Sequence, residues 1–391
     1  MAAPSIPALD GTVVLDFSTV GPGSRCTRIL ADYGATVIKV GVPPKKAGLQ
    51  TQPAHWAYSA NRGLRQVRLD LKDPEAKAAF LELARGADVI LESFRPGVVD
   101  RLGIGFEAVR EVNPRIVYCS TSGYGQDGPA SLWAGHDINY LAVGGYLACS
   151  EPGIDGKPPI AGATIADGAA GGMHAALAIL AALLRRAKTG EGEYLDVSVA
   201  DGVLTLMSLY IDQHLATGEE PGPRHDVLTG RYAYYDTYAC ADGKWVAVGA
   251  IEPQFYANLC KGIGCERWLE HQNDDAVQEQ VRADFAAAFR TRTRDQWVAE
   301  LAGANTCLSP IYEIKELVSD PQFRARGAFG SAEHPKEGVF EQVAPVLAGQ
   351  TRSEGAVPAG DATRSDTEAL LREAGLSADQ IAALRERGAI A

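Results

Sequence analysis

Two apolar stretches near the start of the chain decide its fold: Val13-Val14-Leu15-Asp16-Phe17 and Thr36-Val37-Ile38-Lys39-Val40. Each is short and rich in β-branched residues, which is typical of a buried strand. Between them, Gly21-Pro22-Gly23 predicts a turn, and residues 24–33 predict a helix that Gly34 is placed to end. The order strand, helix, strand in so short a span predicts a β-α-β unit with parallel strands.

The same alternation continues along the first third of the chain. Residues 74–86 predict a helix followed by a strand at 88–91, and residues 107–112 predict a helix followed by a strand at 115–119. Helices that alternate with short apolar strands build a parallel sheet covered on both faces. The sequence therefore predicts an α/β fold with a large, doubly wound, Rossmann-like domain.

A change of composition indicates a second, smaller domain. Residues 218–229 are rich in glycine, proline and charge, and they predict a linker. Beyond them, two strand-like stretches meet across Ala241-Asp242-Gly243, which predicts an antiparallel hairpin, and helices follow. We therefore expect a small α+β domain at residues 230–329 and a large domain made of residues 1–217 and 330–391.

Composition and charge limit the possible classes of function. The chain has 391 residues and a formal net charge of −12, and 46% of its residues are apolar. The acidic balance argues against a nucleic-acid partner, because such proteins present basic surfaces. The longest apolar run, residues 173–184, is shorter than the roughly 20 residues that span a bilayer. With no leader-like segment visible, no membrane partner is expected.

The cysteines indicate a compartment rather than a metal site. The 7 cysteines are scattered and form no metal-ligand pattern with histidine, so no metal is expected. Free thiols are typical of a reducing compartment, which predicts a cytoplasmic location.

The glycine-rich turn after the first strand is weighed against dinucleotide binding. Gly21 and Gly23 match the start of the fingerprint, but Cys26 stands at the third glycine position. Gly41 stands where a ribose-binding carboxylate is expected at the end of the second strand. These departures disfavour NAD and leave a helix start suited to an anion or a thioester oxygen.

Residues 167–187 predict one long helix. The segment is apolar almost all round, a pattern typical of a buried helix. Gly171 and Gly172 lie within it, and we expect them to let another backbone approach closely.

Two polar residues carry the chemistry: His136 in Gly135-His136-Asp137-Ile138-Asn139-Tyr140, and Asp167. An imidazole and a carboxylate that face each other can remove a proton from one side of a carbon and return it on the other. This predicts an acid/base enzyme that acts next to a carbonyl group. The structural alternatives are that Asp167 only caps its helix and that His136 is an ordinary half-buried histidine.

Many ordered motifs resemble those of the family III CoA-transferases, a superfamily that includes the α-methylacyl-CoA racemases. The resemblance covers nearly the whole chain. It rests on Leu30-Ala31-Asp32-Tyr33-Gly34-Ala35, Asn61-Arg62-Gly63, Leu69-Asp70-Leu71-Lys72, Phe94-Arg95-Pro96-Gly97-Val98, Leu102-Gly103-Ile104-Gly105 and Ser122-Gly123-Tyr124-Gly125-Gln126-Asp127-Gly128-Pro129. The histidine motif, and Gly249-Ala250-Ile251-Glu252-Pro253-Gln254-Phe255-Tyr256, look like the racemase branch.

The resemblance implies the roles of the catalytic residues. It implies that His136 and Asp167 are the two acid/base groups and that Glu252 orients His136. The implied reaction is the epimerisation of a 2-methylacyl-CoA thioester through an enolate. The resemblance also implies an interlocked homodimer, and no cofactor beyond the CoA moiety of the acyl-CoA substrate.

Three cations are implied to bind the phosphates of CoA. They are Arg95, Lys39 and Arg62, and Arg95 is preferred because an arginine makes bidentate phosphate contacts.

Three questions stay open at this stage. In a transferase, an ionised Asp167 would attack the thioester and carry the acyl group, so the alternative is CoA transfer to a free carboxylic acid. A third interpretation is a CoA-binding protein without catalysis. For a racemase, burial would raise the pKa of Asp167 and a helix start would lower it, and the sequence does not decide between them.

Overall fold

The computed structural model describes residues 6–44, 62–353, 355–359 and 365–391. The strands of this part of the chain are β1 (Val13–Asp16), β2 (Thr36–Gly41), β3 (Arg65–Arg68), β4 (Val89–Glu92), β5 (Val117–Ser122), β6 (Glu193–Ser198), β7 (Tyr235–Ala239), β8 (Trp245–Gly249), β9 (Leu308–Pro310), β10 (Phe329–His334), β11 (Gly338–Val343) and β12 (Val357–Pro358).

The helices, in chain order, are α1 (Gly21–Asp32), α2 (Pro74–Arg85), α3 (Val98–Leu102), α4 (Phe106–Val112), α5 (Asp137–Val143), α6 (Tyr146–Cys149), α7 (Ala166–Thr189), α8 (Val199–Thr217), α9 (Pro253–Gly262), α10 (Gln278–Phe289), α11 (Arg294–Leu301), α12 (Ile314–Leu317), α13 (Pro321–Ala325), α14 (Thr367–Glu373) and α15 (Ala378–Glu386). Two 3₁₀ turns, Val227–Thr229 and Glu266–His271, complete them.

Six parallel strands form the central sheet, in the order β3-β2-β1-β4-β5-β6. Successive residues of a strand face opposite sides of the sheet. In β1, the neighbours Leu15 and Val14 accordingly pack on different sides. Leu15 packs in one buried cluster with side chains of α2 and α14, and Val14 packs in another with side chains of α1 and α7. Helices therefore cover both faces, and the predicted α/β fold with a parallel sheet is confirmed.

The chain divides into two compact units. The first takes described residues of Met1–Gly144, Ala161–Ser208 and Pro321–Ala391, and the second comprises Gly145–Ile160 and Leu209–Asp320. These boundaries differ from the predicted ones, since residues 145–160 and 209–217 and the predicted linker 218–229 belong to the smaller unit, and residues 321–329 belong to the larger.

Each unit also contains a small sheet. In the smaller unit, β7 and β8 form the predicted antiparallel hairpin, Gly243 takes the left-handed conformation in its turn at a φ of 75°, and β9 adds a third strand. In the larger unit, β10 pairs with β11 and β12. The sequence analysis did not predict β9 or this second sheet.

Helix α7 differs from its prediction in two ways. Its first turns, Ala166–Met173, are wound as a π-helix before the α-helix His174–Thr189 begins. The expectation of a helix buried all round is wrong: Ile179 is fully buried, whereas Leu177 and Leu184 are each 68% exposed. One face packs against the sheet and the other lies at the surface of the chain.

Helix α7 also bears on the membrane prediction. Among the described residues it is the one helix long and apolar enough to cross a membrane by length and composition, and 39% of its most apolar window is buried. Core helices of globular proteins are apolar too, so this observation carries little weight. The absence of a membrane partner stays a prediction.

Candidate active site

A cavity of about 740 Å³ opens in the larger unit where β1, β4 and β5 end. The carboxyl ends of parallel strands are the usual place for a ligand in a doubly wound sheet. The loop after β1, the loop after β4 and the segment before α5 all contribute to its wall. His136 and Asp167 both line this cavity, so the fold brings the two predicted acid/base residues together.

Asp167 lies in the first turn of α7, with its backbone held from the neighbouring helix. Its N–H donates to Oδ1 of Asp137 at 2.8 Å. The N-cap position belongs to Ile165, whose side chain makes no capping hydrogen bond. Within the described residues, the Asp167 carboxylate accepts no hydrogen bond. The structural alternative, a carboxylate used only to cap its helix, does not apply to Asp167.

Glycines bring α1 close to the start of α7. A Cβ at Gly171 would lie 2.5 Å from Cβ of Pro22, and one at Gly172 would lie 2.8 Å from Cβ of Arg25, both too close for any larger residue. The expectation that these glycines admit another backbone is confirmed. The turn before α1 also approaches the acid, since a Cβ at Gly21 would lie 3.7 Å from Oδ2 of Asp167.

The surroundings of Asp167 settle the direction of its pKa. Burial raises the pKa of this carboxyl, and the neighbouring Asp137 carboxylate raises it further. Arg25 and His136 lower the pKa of Asp167, but their effect does not prevail. Asp167 is therefore protonated more readily than an ordinary aspartate, and the protonated carboxyl is the form that a general acid needs.

His136 lies at the N-cap of α5. Its backbone N–H donates to Oδ1 of Asn139 at 3.0 Å, and its carbonyl accepts from Asn139 N–H at 2.8 Å. The Tyr140 hydroxyl donates to the Gly135 carbonyl at 2.6 Å, and burial raises the pKa of Tyr140 to about 12, so it stays a donor. These contacts fix the turn that directs His136 to the cavity.

Glu252 lies in the smaller unit, at the N-cap of α9, and it is exposed. Its carbonyl accepts from Phe255 N–H at 2.9 Å, and no side chain caps that helix. Its predicted role beside His136 stays a prediction.

The three cations expected at the CoA phosphates have different surroundings. Arg95 is exposed and lines the cavity from the loop after β4. The Lys39 ammonium lies 2.5 Å from the Asp16 carboxylate and donates to the Ser18 carbonyl at 2.9 Å. Arg62 is only 8% exposed and holds both carboxylate oxygens of Asp32 at 2.6 and 2.8 Å. Lys39 and Arg62 therefore have internal partners, and these contacts favour a structural role for both.

Two residues of the site were missed by the sequence analysis. Asp137 follows His136 in the chain, accepts a hydrogen bond from the Asp167 N–H and raises the pKa of the Asp167 carboxyl. Its position in the same motif as His136 could have identified it. Arg25 lines the cavity from the first turns of α1, and its Nη2 donates to Oγ1 of Thr164 at 2.5 Å. An arginine inside an ordinary helix pattern gives no such signal. Among the described residues, no group of histidine, cysteine, aspartate and glutamate could hold a metal ion.

A parallel α/β sheet whose loops gather a histidine and a carboxylate with a raised pKa over one cavity defines the class: an α/β enzyme equipped for proton transfer or acyl transfer. Comparison with known proteins identifies the family. A model described as CoA-transferase family III matches residues 9–362, and the chain belongs to that family. The predicted resemblance is confirmed.

Relatives of both branches are found. The chain is 36% identical over 383 residues to the α-methylacyl-CoA racemase of Homo sapiens. The matched region covers 96% of this chain and 95% of the racemase. It is 33% identical over 334 residues to the acetyl-CoA:oxalate CoA-transferase of Acetobacter aceti, covering 81% and 84%. The crystal structure of a CaiB/BaiF family protein from Brucella suis superposes with a TM-score of 0.77 at 25% identity, covering 95% of this chain and 100% of that one.

Proposed function

We propose that this enzyme epimerises 2-methylacyl-CoA thioesters by moving a proton off and onto the α-carbon. The observation that carries the proposal is that His136 and Asp167 line the same cavity. In addition, burial and the neighbouring Asp137 carboxylate raise the pKa of Asp167. The 36% identity to a human racemase supports the same reaction.

The mechanism needs two groups in opposite protonation states. In one direction, neutral His136 removes the α-proton, and protonated Asp167 delivers a proton to the opposite face. In the other direction the roles reverse, with Asp167 as the base and His136 as the acid. The raised pKa of Asp167 brings its affinity for the proton closer to that of an imidazole, so that each group can work as acid and as base.

The enolate oxygen needs hydrogen-bond donors. The first amides of α7 are already engaged. The Asp167 N–H is already bonded to Asp137, and the Gly168 N–H donates to the Thr164 carbonyl at 2.9 Å. We propose instead the amides of the first turn of α5, which begins directly after His136.

CoA is proposed to enter over the loop that follows β4. Arg95 supplies the cation for a phosphate, and it is exposed at the cavity. The start of this loop is held by a hydrogen bond, because Glu92 at the end of β4 accepts from Phe94 N–H at 2.7 Å. No redox group or metal takes part in the proposed proton transfer.

We propose further that the enzyme is an interlocked homodimer in the cytoplasm. The apolar side chains that α7 and the start of α8 leave exposed support a second copy as their cover, with Leu177, Leu184, Leu204 and Leu206 between 47% and 68% exposed. Seven free cysteines support a reducing compartment. Sedimentation of the purified chain tests the dimer, and a monomer at micromolar concentration would contradict it.

One experiment tests the reaction. A pure (R)-2-methylacyl-CoA is incubated with the enzyme in D₂O, with and without an added carboxylic acid, and its products are followed by mass spectrometry. Deuterium at the α-carbon, together with the S epimer and no need for the acid, is expected.

The same experiment includes the alternative, CoA transfer, which the 33% identity to an oxalate CoA-transferase favours. A new acyl-CoA that forms only with the acid, and that keeps its α-proton, would establish a transferase in which Asp167 carries the acyl group. CoA binding with neither product would leave a binding protein.

A further inference from the structure

The first turns of α7 take a cap from another helix. A helix start leaves backbone N–H groups without partners inside the helix, and a local side chain usually accepts from them. Here Ile165 at the N-cap has no polar side chain, and the hydroxyl of Thr164 before it accepts from Nη2 of Arg25 at 2.5 Å. The N–H of Asp167 is instead satisfied by Oδ1 of Asp137, at 2.8 Å and 30 residues earlier in the chain.

Asp137 also adjoins the other proposed proton carrier. It is the first residue of α5, and His136 directly before it is the N-cap. One aspartate and one hydrogen bond therefore join His136 to Asp167. Because this link ends on the Asp167 backbone, it leaves the Asp167 carboxyl available at the cavity that His136 also lines. A misplacement of about 1 Å can cost about 100-fold in rate, so so short a link between two proton carriers bears on the chemistry.

The Asp137 carboxylate also acts on Asp167 through its charge. A negative neighbour disfavours a second negative charge, and Asp137 adds to burial in raising the pKa of Asp167. Arg25 on α1 and His136 before α5 lower that pKa. Tyr140 on α5 also interacts with the Asp167 carboxyl, and burial raises the pKa of Tyr140 to about 12, so its hydroxyl stays neutral. Of these neighbours, Asp137 is the one whose charge favours the protonated acid.

We propose that Asp137 is a positioning residue for both proton carriers: its Oδ1 holds the Asp167 backbone in register with His136, and its negative charge favours the proton on the Asp167 carboxyl. The inference rests on the proposed function and deepens it. A transferase needs Asp167 as an ionised nucleophile, which a neighbouring negative charge opposes, whereas a racemase needs the protonated acid. Asp137 touches no reacting atom in this role and acts through Asp167.

Two substitutions at Asp137 separate the hydrogen bond from the charge. Asp137→Asn keeps an acceptor oxygen for the Asp167 N–H and removes the charge, whereas Asp137→Ala removes both. We expect kcat/KM for α-proton exchange to fall by about 10-fold in Asp137→Asn and by about 100-fold in Asp137→Ala. Asp73→Ala is the matched control, because Asp73 accepts from the N–H groups of Glu75 and Ala76 at the start of α2 and does not line the cavity. It should leave kcat/KM unchanged.

The pH profile of kcat/KM distinguishes this role from a purely structural one. An aspartate is ordinarily more acidic than a histidine, so the acidic limb of the profile reports Asp167. Removal of a negative neighbour lowers the pKa of Asp167, and the acidic limb of Asp137→Asn should therefore move to lower pH. A substitution that only loosened the start of α7 would lower the rate and leave this limb in place. An unmoved limb in Asp137→Asn, or a wild-type rate in Asp137→Ala, would overturn the proposal.

A direct titration separates this inference from the proposed function. The enzyme is labelled at the carboxyl carbons of its aspartates and followed by NMR across the pH range, and the resonance absent from Asp167→Asn belongs to Asp167. A lower pKa of that resonance in Asp137→Asn than in the wild type supports the role of Asp137 even if no α-proton exchanges. An identical titration in the two proteins would refute it even if epimerisation is observed.

Discussion

Two clusters of charged residues lie near the carboxyl ends of the central strands, and they differ in how their groups are satisfied. Around Asp16, at the end of β1, each carboxylate oxygen has partners: Oδ1 accepts from Ser18 N–H at 2.7 Å, and Oδ2 accepts from the Thr27 hydroxyl at 2.6 Å and pairs with Lys39. Around Asp167, the carboxylate accepts no hydrogen bond within the described residues and faces a cavity.

The same residue types therefore do different work. A buried ion pair with every lone pair used fixes the backbone, here the turn that leads into α1. A half-buried carboxylate without donors keeps a raised pKa and stays available to a substrate. We therefore expect substitutions in the cluster around Asp16 to lower the stability of the fold. Substitutions in the cluster around Asp167 should lower the reaction rate instead.

The largest expected effect is on rate. Asp167→Asn keeps the shape and removes the proton, so turnover is expected to fall by about 1000-fold or more. Stability at pH 8 should stay equal or rise, because burial disfavours the charge of the native carboxylate. Deuterium-exchange assays measure the turnover, and thermal melts measure the stability. A large drop in melting temperature would show that Asp167 has a structural role like that of Asp16.

His136→Ala is expected to lower epimerisation by about 10²- to 10⁴-fold, because it removes one of the two proton carriers. Asn139→Ala is the matched control on the same helix turn: it removes the hydrogen bond to His136 N–H but leaves the imidazole. Its loss should be much smaller. If His136→Ala epimerises at the wild-type rate, the proposed mechanism is wrong.

The sequence allowed the parallel sheet, and the two residues His136 and Asp167 that line one cavity, to be predicted because both leave local signals. Strands such as β1 and β2 are apolar and short, and His136 stands in a distinctive motif. The second small sheet leaves none, since β11 alternates between exposed and half-buried residues without an apolar face. Whether Lys39 or Arg95 is already paired depends on side chains distant in the chain, which no local pattern reports.

Asp16→Asn tests the satisfied cluster through its stability. The substitution leaves the Lys39 ammonium, whose side chain is 13% exposed, without its counterion. Breaking such a pair is expected to cost about 3–5 kcal/mol of the free energy of unfolding, measured by urea titration. The control is Glu373→Gln, which breaks an exposed pair with Arg65 at 2.8 Å and should change stability by less than about 1 kcal/mol.

Glu92 provides a smaller effect, which depends on pH. It is 2% exposed, and burial raises its pKa from about 4.5 to about 7, with Asp100 and Asp196 adding to the rise. Its ionisation is therefore disfavoured in the folded state. Stability is expected to fall as the pH rises from about 4.5 through about 7, by about 1–3 kcal/mol. Glu92→Gln should flatten this part of the profile, whereas Glu107→Gln, at an exposed carboxylate, should not.

The smallest expected effect on catalysis comes from comparing Arg95 with Lys39, two of the three cations predicted to bind the CoA phosphates. Arg95→Gln should raise KM for the acyl-CoA by about 10-fold, with little change in kcat or melting temperature, because it removes a charged contact to a phosphate that is made equally in the ground state and the transition state. Lys39→Met should do the reverse and lower stability with KM nearly unchanged. If Lys39→Met instead raises KM as Arg95→Gln does, the division into a satisfied and an unsatisfied cluster fails. Lys39 would then join the phosphate site, although its ammonium lies against Asp16 in the structure.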